Sequence, residues 1–438
     1  MTEQEKIEYK SSYTWIFSIN YFNQGLVTSI LSVIVPIYIL LMIAEGGTAI
    51  TPTDVAYIAS IITIPWAVKL FFGIFADKYG TKSLGRRRPW ILSTLLVSGV
   101  GWMILPFLIT PGNVLFIITV MGFLINCGTA FSDTALDGFI IDICPKEKLG
   151  RVQGFVWGLR SIGTIAGGPV LAVLIVLGQI SVNAIFIAEG ILTVFFAISI
   201  LVVNEKKDFP KVKLKENFKG MFNNSRDWKT YMFALSNNVM GNVIVLFLAM
   251  FILIEMGVIQ MKGRNITLGE KTLEVYLFQA NVTLIIAIGI MVGAIIGGII
   301  ADKKTRKFAI YSGVLLTTSS ILLLLIPATW TLLLFFTVLI GFALGWRHSA
   351  YAAVVGQLAK KHPEMDSTYL SIANSFTNFG ATLGLLLTGI IFQIFGSYAM
   401  LFVFLAIISN VSLIPFLAID AEDYEHKSEK TAILTDIK

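Results

Sequence analysis

Charged side chains stand inside long apolar stretches of this sequence. Asp133 and Asp137 lie in one stretch (FSDTALDGF), and Lys69 (PWAVKLFF) and Arg160 (WGLRSIG) lie in two others. An ionisable group inside a membrane costs roughly 2.5–3.5 kcal/mol, so such groups are functional candidates by default. The two aspartates are four residues apart and share a helix face, where like charges favour retention of a proton. We interpret the pair as proton-coupling residues; the alternative is that they form structural interhelical ion pairs with the two cations.

Uncharged polar side chains also recur at helical spacing inside apolar stretches. Amides in a helical bundle either join helices or bind a hydroxylated ligand. We predict that these groups and the buried cations line a solute cavity, at Asn20, Asn23, Gln24, Lys69, Arg160, Asn238, Asn242, Gln279, Arg347, His348, Asn374 and Asn378.

The composition requires a membrane environment for these groups. The chain of 438 residues is 56% hydrophobic and only 14% charged, whereas a soluble protein carries about 25% charged residues. A membrane-spanning helix needs about 20 apolar residues. The sequence predicts an all-α polytopic membrane protein with twelve spans, at 13–43, 52–76, 89–110, 113–143, 150–178, 182–203, 228–258, 275–301, 307–326, 329–358, 366–395 and 397–418.

The basic residues predict the orientation of these spans. Of the 33 lysines and arginines, only Lys262, Arg264 and Lys271 fall in loops on the side opposite both termini. Cytoplasmic loops carry the excess of basic residues. We therefore expect both termini in the cytoplasm of a multi-pass protein of the cell membrane, the inner or plasma membrane. The net charge of +6 reflects this topology and does not predict nucleic-acid binding.

One charged motif occurs twice and divides the chain into halves. GIFADKYG begins at Gly73 and is followed by GRRRPW, and GIIADKKTRK begins at Gly298. Each copy ends an apolar stretch, which indicates two six-helix pseudo-repeats. The predicted division is an N-terminal bundle (1–203), a cytoplasmic linker (204–227), a C-terminal bundle (228–418) and a cytoplasmic tail (419–438).

The repeated motif resembles the loop signature of the major facilitator superfamily, which implies the major facilitator fold. The resemblance assigns the acid and bases of the motif to a cytoplasmic gate. With neighbouring charges, the predicted gate residues are Gly73, Asp77, Lys78, Arg86, Arg87, Arg88, Asp142, Arg151, Gly298 and Asp302.

The N-terminal half also resembles a narrower branch, that of muropeptide permeases and acetyl-coenzyme A transporters. The matching residues are Lys69, the D-x3-D-x4-D-x2-P pattern from Asp133 to Pro145, and the G-x-R that ends at Arg160. GRRRPW also resembles glycoside–pentoside–hexuronide symporters. Sodium-coupled members of that group carry acids where this chain has Lys69, and this difference favours a proton as the coupling ion.

These features predict a secondary active transporter rather than an enzyme, with no catalytic residues, metal or cofactor. The expected partners are the lipid bilayer, a proton and a small solute that is sugar-containing or an organic anion, carried by alternating access in a monomer. Two alternatives stay open. One is a cation symporter of sugars or glycosides, and the other is a facilitator-fold protein that handles lipid or transports nothing.

Overall fold

The computed structural model describes residues 9–46, 49–205, 222–269, 273–361 and 366–425. Twelve helices in these ranges are long and apolar enough to cross a membrane, which confirms the predicted spans and fold class. Their bounds are Ser11–Glu45 (α1), Pro52–Lys78 (α2), Arg88–Leu108 (α3), Val114–Ile143 (α4), Arg151–Val176 (α5), Val182–Val202 (α6), Ser225–Glu255 (α7), Glu274–Lys303 (α8), Arg306–Leu325 (α9), Trp330–Ala359 (α10), Tyr369–Phe395 (α11) and Tyr398–Leu417 (α12).

Helix α2 consists of two segments, Pro52–Ala67 and Lys69–Lys78, joined at Val68. Pro65, which has no N–H to donate to the preceding turn, stands three residues before this joint. Lys69 is therefore the first residue of the second segment. Helices α1, α5 and α7 each contain a wide π-helical turn instead, at Ile30–Ile34, Ala166–Val170 and Ile244–Leu248.

The chain packs as two compact units. Unit 1 contains residues 1–216 and 249–284, and unit 2 contains residues 217–248 and 285–438. The predicted division at the linker 204–227 stays a prediction, and much of that linker (206–221) lies outside the described residues.

Unit 1 is built from four main helix pairs and a small hairpin. Helix α1 packs on α5, α3 packs on both α4 and α6, and α2 packs on α4. Strands Ile259–Lys262 (β1) and Asn265–Leu268 (β2) form an antiparallel hairpin, and Ile50 pairs with Ile266 at its edge. In unit 2, α9 packs on α10 and α12, and α7 packs on α11.

The corresponding pairs α1–α5 and α7–α11 make backbone contact at glycines. A side-chain carbon added at Gly163 would collide with the carbonyl oxygen of Phe22, and one added at Gly380 would collide with that of Leu235. Small residues allow such close approach between membrane helices. Both units therefore use glycine to bring the backbones of two helices into contact.

The residues after α12 form a short helix, Ala421–Tyr424 (α13), that packs in unit 2. Asp423 is buried and pairs with Arg226, at 2.7 Å between Oδ1 and Nη2, and with Lys361. The start of the predicted tail 419–438 is therefore held by ion pairs to the beginning of α7 and the end of α10. Residues 426–438 lie outside the described chain.

We expect Gly163→Ala and Gly380→Ala to lower the thermal stability of the purified protein, because the added methyl group forces two helix backbones apart. Overpacking of this kind costs about 1–3 kcal/mol. Gly154→Ala is the matched control, since Gly154 lies in the same helix run with nothing within 4 Å of the added carbon. Equal melting temperatures for all three variants would contradict the close packing.

Candidate functional site

Four of the predicted site residues meet inside unit 1. Lys69 Nζ contacts Asp133 and lies 3.4 Å from Asp137 Oδ2. Arg160 Nη1 lies 3.9 Å from Asp133 Oδ1. Tyr21, which the sequence analysis did not include, donates its hydroxyl hydrogen to Asp137. Helices α1, α2, α4 and α5 thus each supply one part of a single charged cluster.

The two aspartates of this cluster differ in their access to solvent. The side chain of Asp133 is 3% exposed and lies between the two cations, whereas that of Asp137 is 38% exposed. A buried carboxylate needs its partners, while an open one exchanges protons with its surroundings more readily. Asp133 therefore has the position of a fixed counter-ion, and Asp137 has the position of the exchangeable one.

Two indole rings hold the cationic side chains of the cluster. The Arg160 guanidinium lies 4.8 Å from the centre of the Trp157 ring and 5.6 Å from that of Trp66, and Lys69 Nζ lies 5.8 Å from Trp66. Trp66 donates to Asn126 Oδ1 at 3.2 Å, which fixes the indole against α4. Cations are attracted to the faces of such rings.

The guanidinium of Arg160 has no hydrogen-bond acceptor within the described residues, since its contacts are the two rings and the 3.9 Å approach to Asp133. A guanidinium carries five N–H donors in a fork that matches a carboxylate or phosphate. The N–H donors of Arg160 are therefore unused within the described residues. The cluster as a whole is neutral when its two cations face two ionised carboxylates.

The predicted gate residues of unit 1 form a second network where α3 begins. Arg87 contacts Asp77 and also donates to Asp142 Oδ2 at 3.1 Å, and Arg86 donates to the same oxygen at 2.7 Å. Arg88 donates to the carbonyl oxygen of Val203. Lys78 and Arg151, in contrast, are exposed and have no ion-pair partner among the described residues.

A carboxylate that the sequence analysis missed caps α3. Glu205 accepts three successive backbone N–H groups, from Arg86 (2.9 Å), Arg87 (2.6 Å) and Arg88 (3.0 Å). The first N–H groups of a helix lack partners within the helix and attract negative charge. Burial raises the pKa of Glu205 above its ordinary value, and the three N–H groups act against that shift.

Unit 2 repeats this cap at the same spacing. Glu425 accepts the N–H groups of Arg306 (3.0 Å) and Lys307 (2.8 Å) at the start of α9. Glu205 follows α6 and Glu425 follows α13, and each lies 119 residues after the first N–H group that it accepts. This repeated spacing of an acid after a basic pair was the signal in the sequence that could have found them.

The second copy of the motif differs from the first in its ion pairs. Asp302 is exposed and forms no ion pair within the described chain, whereas Asp77 contacts Arg87. The first glycines of the two copies, Gly73 and Gly298, are both half-buried in their helices. The two copies therefore share their position in the fold but not their charge contacts.

Four of the predicted cavity amides are buried inside unit 1. Asn20, Asn23, Gln24 and Gln279 are each at most 2% exposed, so they have no surface with which to contact a solute in this conformation. The cavity-lining role predicted for them stays a prediction. Their spacing identified an inward-facing stripe correctly but could not distinguish an interior between helices from a cavity wall.

Arg347 is likewise buried, between helices of unit 2. Its guanidinium donates to Asn237 (2.8 Å), to the hydroxyls of Ser409 (2.8 Å) and Ser412 (2.7 Å), and to the Ser409 carbonyl oxygen (3.2 Å). These hydrogen bonds join α7, α10 and α12, and the predicted contact of Arg347 with a solute stays a prediction.

The other predicted residues of unit 2 keep some exposed surface. Asn238 is half-buried and donates to the Thr377 carbonyl oxygen at 3.2 Å, which ties α7 to α11. The rest are exposed or half-buried and form no side-chain hydrogen bond within the described ranges: Asn242, His348, Asn374 and Asn378.

We expect Lys69→Met to destabilise the protein by about 3–5 kcal/mol, because it leaves the buried Asp133 and the partly exposed Asp137 with one cation. Lys69→Met combined with Asp133→Asn should regain part of that loss, since Arg160 and Asp137 then balance each other. Thermal unfolding of the purified variants checks this. A single variant as stable as the parent protein would show that Lys69 is not needed to balance the cluster.

We expect Glu205→Gln and Glu425→Gln to lower stability by similar amounts, about 1–2 kcal/mol each, because each removes a charged acceptor from a helix start. Glu422→Gln is the control, since Glu422 is an exposed acid on α13 without a described partner. Thermal unfolding again gives the measurement, and a loss confined to one of the two variants would argue against the repeated cap.

Comparison with known proteins agrees with this architecture. The family model of the Major Facilitator Superfamily matches residues 17–268 and 277–437. A protein of Rickettsia prowazekii (strain Madrid E) named as transporter AmpG 1 is 32% identical over 158 residues, which cover 34% of each chain. Folate-biopterin transporter 4 of Arabidopsis thaliana is 22% identical over 199 residues, 44% of this chain and 38% of that one. The matches span less than half the length of these relatives.

Solved structures of low sequence identity share the fold. The nucleoside transporter NupG superposes with a TM-score of 0.68 at 12% identity, over 93% of this chain and 99% of that one. A D-xylose–proton symporter gives 0.68 at 13% identity, over 94% and 98%. The family model extends over nearly all of the described helices. The chain is an integral membrane protein that belongs to the major facilitator superfamily.

Proposed function

We propose that the protein is a proton-coupled symporter of a small organic anion, sugar-containing or otherwise, that works by alternating access. The observation that carries this proposal is the cluster in which Lys69 lies between Asp133 and Asp137 while the donors of Arg160 stay free. The proposed setting is a cell membrane with both termini in the cytoplasm.

The charges of the cluster supply the coupling. With both aspartates ionised the cluster is neutral, and an anion gains little net attraction from it. A proton on Asp137, the more exposed of the two, leaves a net charge of +1 beside the guanidinium of Arg160. An anion then neutralises that charge and uses the free donors, so that proton and anion favour each other's binding.

The rings beside Arg160 suit a solute with a ring of its own. Trp157 is 52% exposed and stacks on the guanidinium, so a sugar or heterocycle can cover its outer face while the anionic group reaches the donors. One relative is named as a folate-biopterin transporter and one structural neighbour as a proton symporter, and both names are in line with this proposal.

The contacts of Asp77, Arg86, Arg87 and Asp142 are proposed as the gate of unit 1. They join α2, α3 and α4 at one end of the unit, whereas the charged cluster lies farther along α2 and α4. Gly298 and Asp302 are proposed for the corresponding role in unit 2, with fewer ion pairs.

The test is uptake into proteoliposomes of an anionic solute first selected by thermal-shift screening of sugar acids, sugar phosphates, nucleotides, pterins and peptides. With one proton per solute, each pH unit of gradient supports roughly tenfold accumulation. We expect a protonophore to abolish accumulation. Asp137→Asn should abolish it as well while exchange of labelled for unlabelled solute continues.

Glu255→Gln is the matched control for that variant, because Glu255 is an exposed acid at the end of α7 without a described partner. It should accumulate solute like the parent protein. Accumulation that persists with the protonophore, or that follows a sodium gradient, would refute proton coupling. Uptake of uncharged sugars alone would refute the anionic solute.

A further inference from the structure

A second acidic side chain lies inside unit 1 and takes no part in the charged cluster. Glu189, in α6, is 3% exposed. Within the described residues no lysine, arginine or histidine lies within ion-pair distance of it, and its one hydrogen-bond partner is Thr193, with Oγ1 3.3 Å from Glu189 Oε1. A carboxylate held by one neutral donor inside a membrane is a costly arrangement.

An ionised Glu189 and Asn23 Oδ1 would compete for a single hydrogen atom, that of the Thr193 hydroxyl. Thr193 Oγ1 lies 3.3 Å from the glutamate and 3.2 Å from Asn23 Oδ1, and both of those oxygens are acceptors. A hydroxyl has a single hydrogen and serves one acceptor at a time. With a proton on Glu189, the carboxylic acid donates to Thr193, and Thr193 donates to Asn23.

The opposite direction of donation fits the site less well. Asn23 would have to turn its Nδ2 group to Thr193, and Thr193 would then donate to a carboxylate that keeps its full charge. Nδ2 has no other partner among the described residues, so the amide is free to make that turn, but the carboxylate would still receive one hydrogen and no counter-charge. A proton on Glu189 removes that uncompensated charge.

The neighbouring helices bring no charge that could replace the proton. Helix α3 packs on α6 through Gly99 and Gly190, whose backbones touch, and its one charged residue, Arg88, lies at its far end. The three tyrosines of α1 have other partners: Tyr38 donates to Asn183 at 3.0 Å, Tyr21 donates to Asp137, and Tyr13 accepts the Asn204 N–H at 3.4 Å. Glu189 has no other titratable group facing it from α6 within the described chain.

We propose that Glu189 is a second proton-binding site of this protein, occupied by a proton at neutral pH and independent of the charged cluster. The bound proton completes a chain from Glu189 through Thr193 to Asn23 and so ties α6 to α1. Loss of the proton turns the Thr193 hydroxyl to the carboxylate and breaks the link to Asn23.

The two proton sites lie toward opposite ends of unit 1. Glu189 is seven residues after the start of α6, about 10 Å from that end, and Asp137 is six residues before the end of α4, about 9 Å from it. The end of α4 and the end of α6 lie together where Arg86 meets Asp142 and Glu205. Neither site can therefore substitute for the other at one membrane surface.

Infrared spectroscopy of the purified protein tests this inference without knowledge of the solute. At pH 7 we expect a C=O stretching band of a protonated carboxylic acid that survives in Asp137→Asn and is lost in Glu189→Gln. Gln has nearly the shape of the neutral acid, so the variant should fold. Thr193→Val removes the acceptor and should shift the same band without abolishing it, which provides a second reading.

Two results would overturn the proposal. One is a carboxylic acid band that is unchanged in Glu189→Gln and Thr193→Val, which would mean that Glu189 is ionised. The other is disappearance of the band when NaCl replaces choline chloride at constant pH, which would make the three oxygens a sodium site. Both results leave the outcome of the transport assays on Asp137 unaffected, so the two proposals fail separately.

Discussion

The need to balance every buried charge against a partner governs this protein. In hydrocarbon an unpaired ion is far more costly than in water, so each ionic side chain must bring a counter-ion, a set of hydrogen-bond donors or acceptors, or a proton. Lys69 and Arg160 use two aspartates, Arg347 uses neutral acceptors, and the proposed solution at Glu189 is a proton. Of these three arrangements, only the cluster of Lys69 and Arg160 contains a partly exposed carboxylate, Asp137, that can exchange a proton. This exposure distinguishes the candidate transport site from the other two buried charges.

The same constraint explains one feature that the two units share. A helix that begins at the membrane surface exposes N–H groups without partners, and Glu205 and Glu425 accept those groups at the starts of α3 and α9. Glycine-mediated contact between the first and fifth helix of each unit is the other shared feature. The ion pairs at the repeated motif are not shared, which leaves unit 1 with the richer network of charges.

Most of the fold was predictable from the sequence, because length and apolarity alone define a membrane span, and the charges of Lys69, Asp133, Asp137 and Arg160 are conspicuous within such spans. The cluster was predictable to that extent. The burial of Arg347 and of the amides of α1 was not predictable, since spacing shows which face of a helix is polar but not whether that face meets a cavity or another helix. Tyr21 was missed because a tyrosine carries no distinctive signal until its partner is known. Glu205 was missed because its signal, the spacing repeated at Glu425, emerges only when the two halves are compared.

The break in α2 has a mechanical consequence. Lys69 is the first residue of the segment Lys69–Lys78, and Asp77 lies near its other end. The first binds the aspartates of the charged cluster and the second binds Arg87. A ten-residue helix is stiff, and Val68 is its joint to the rest of α2. If a change in the charge state of the cluster releases Lys69, the stiff segment moves as a whole. The contact between Asp77 and Arg87 then moves with it, so the two ends of the segment cannot rearrange independently.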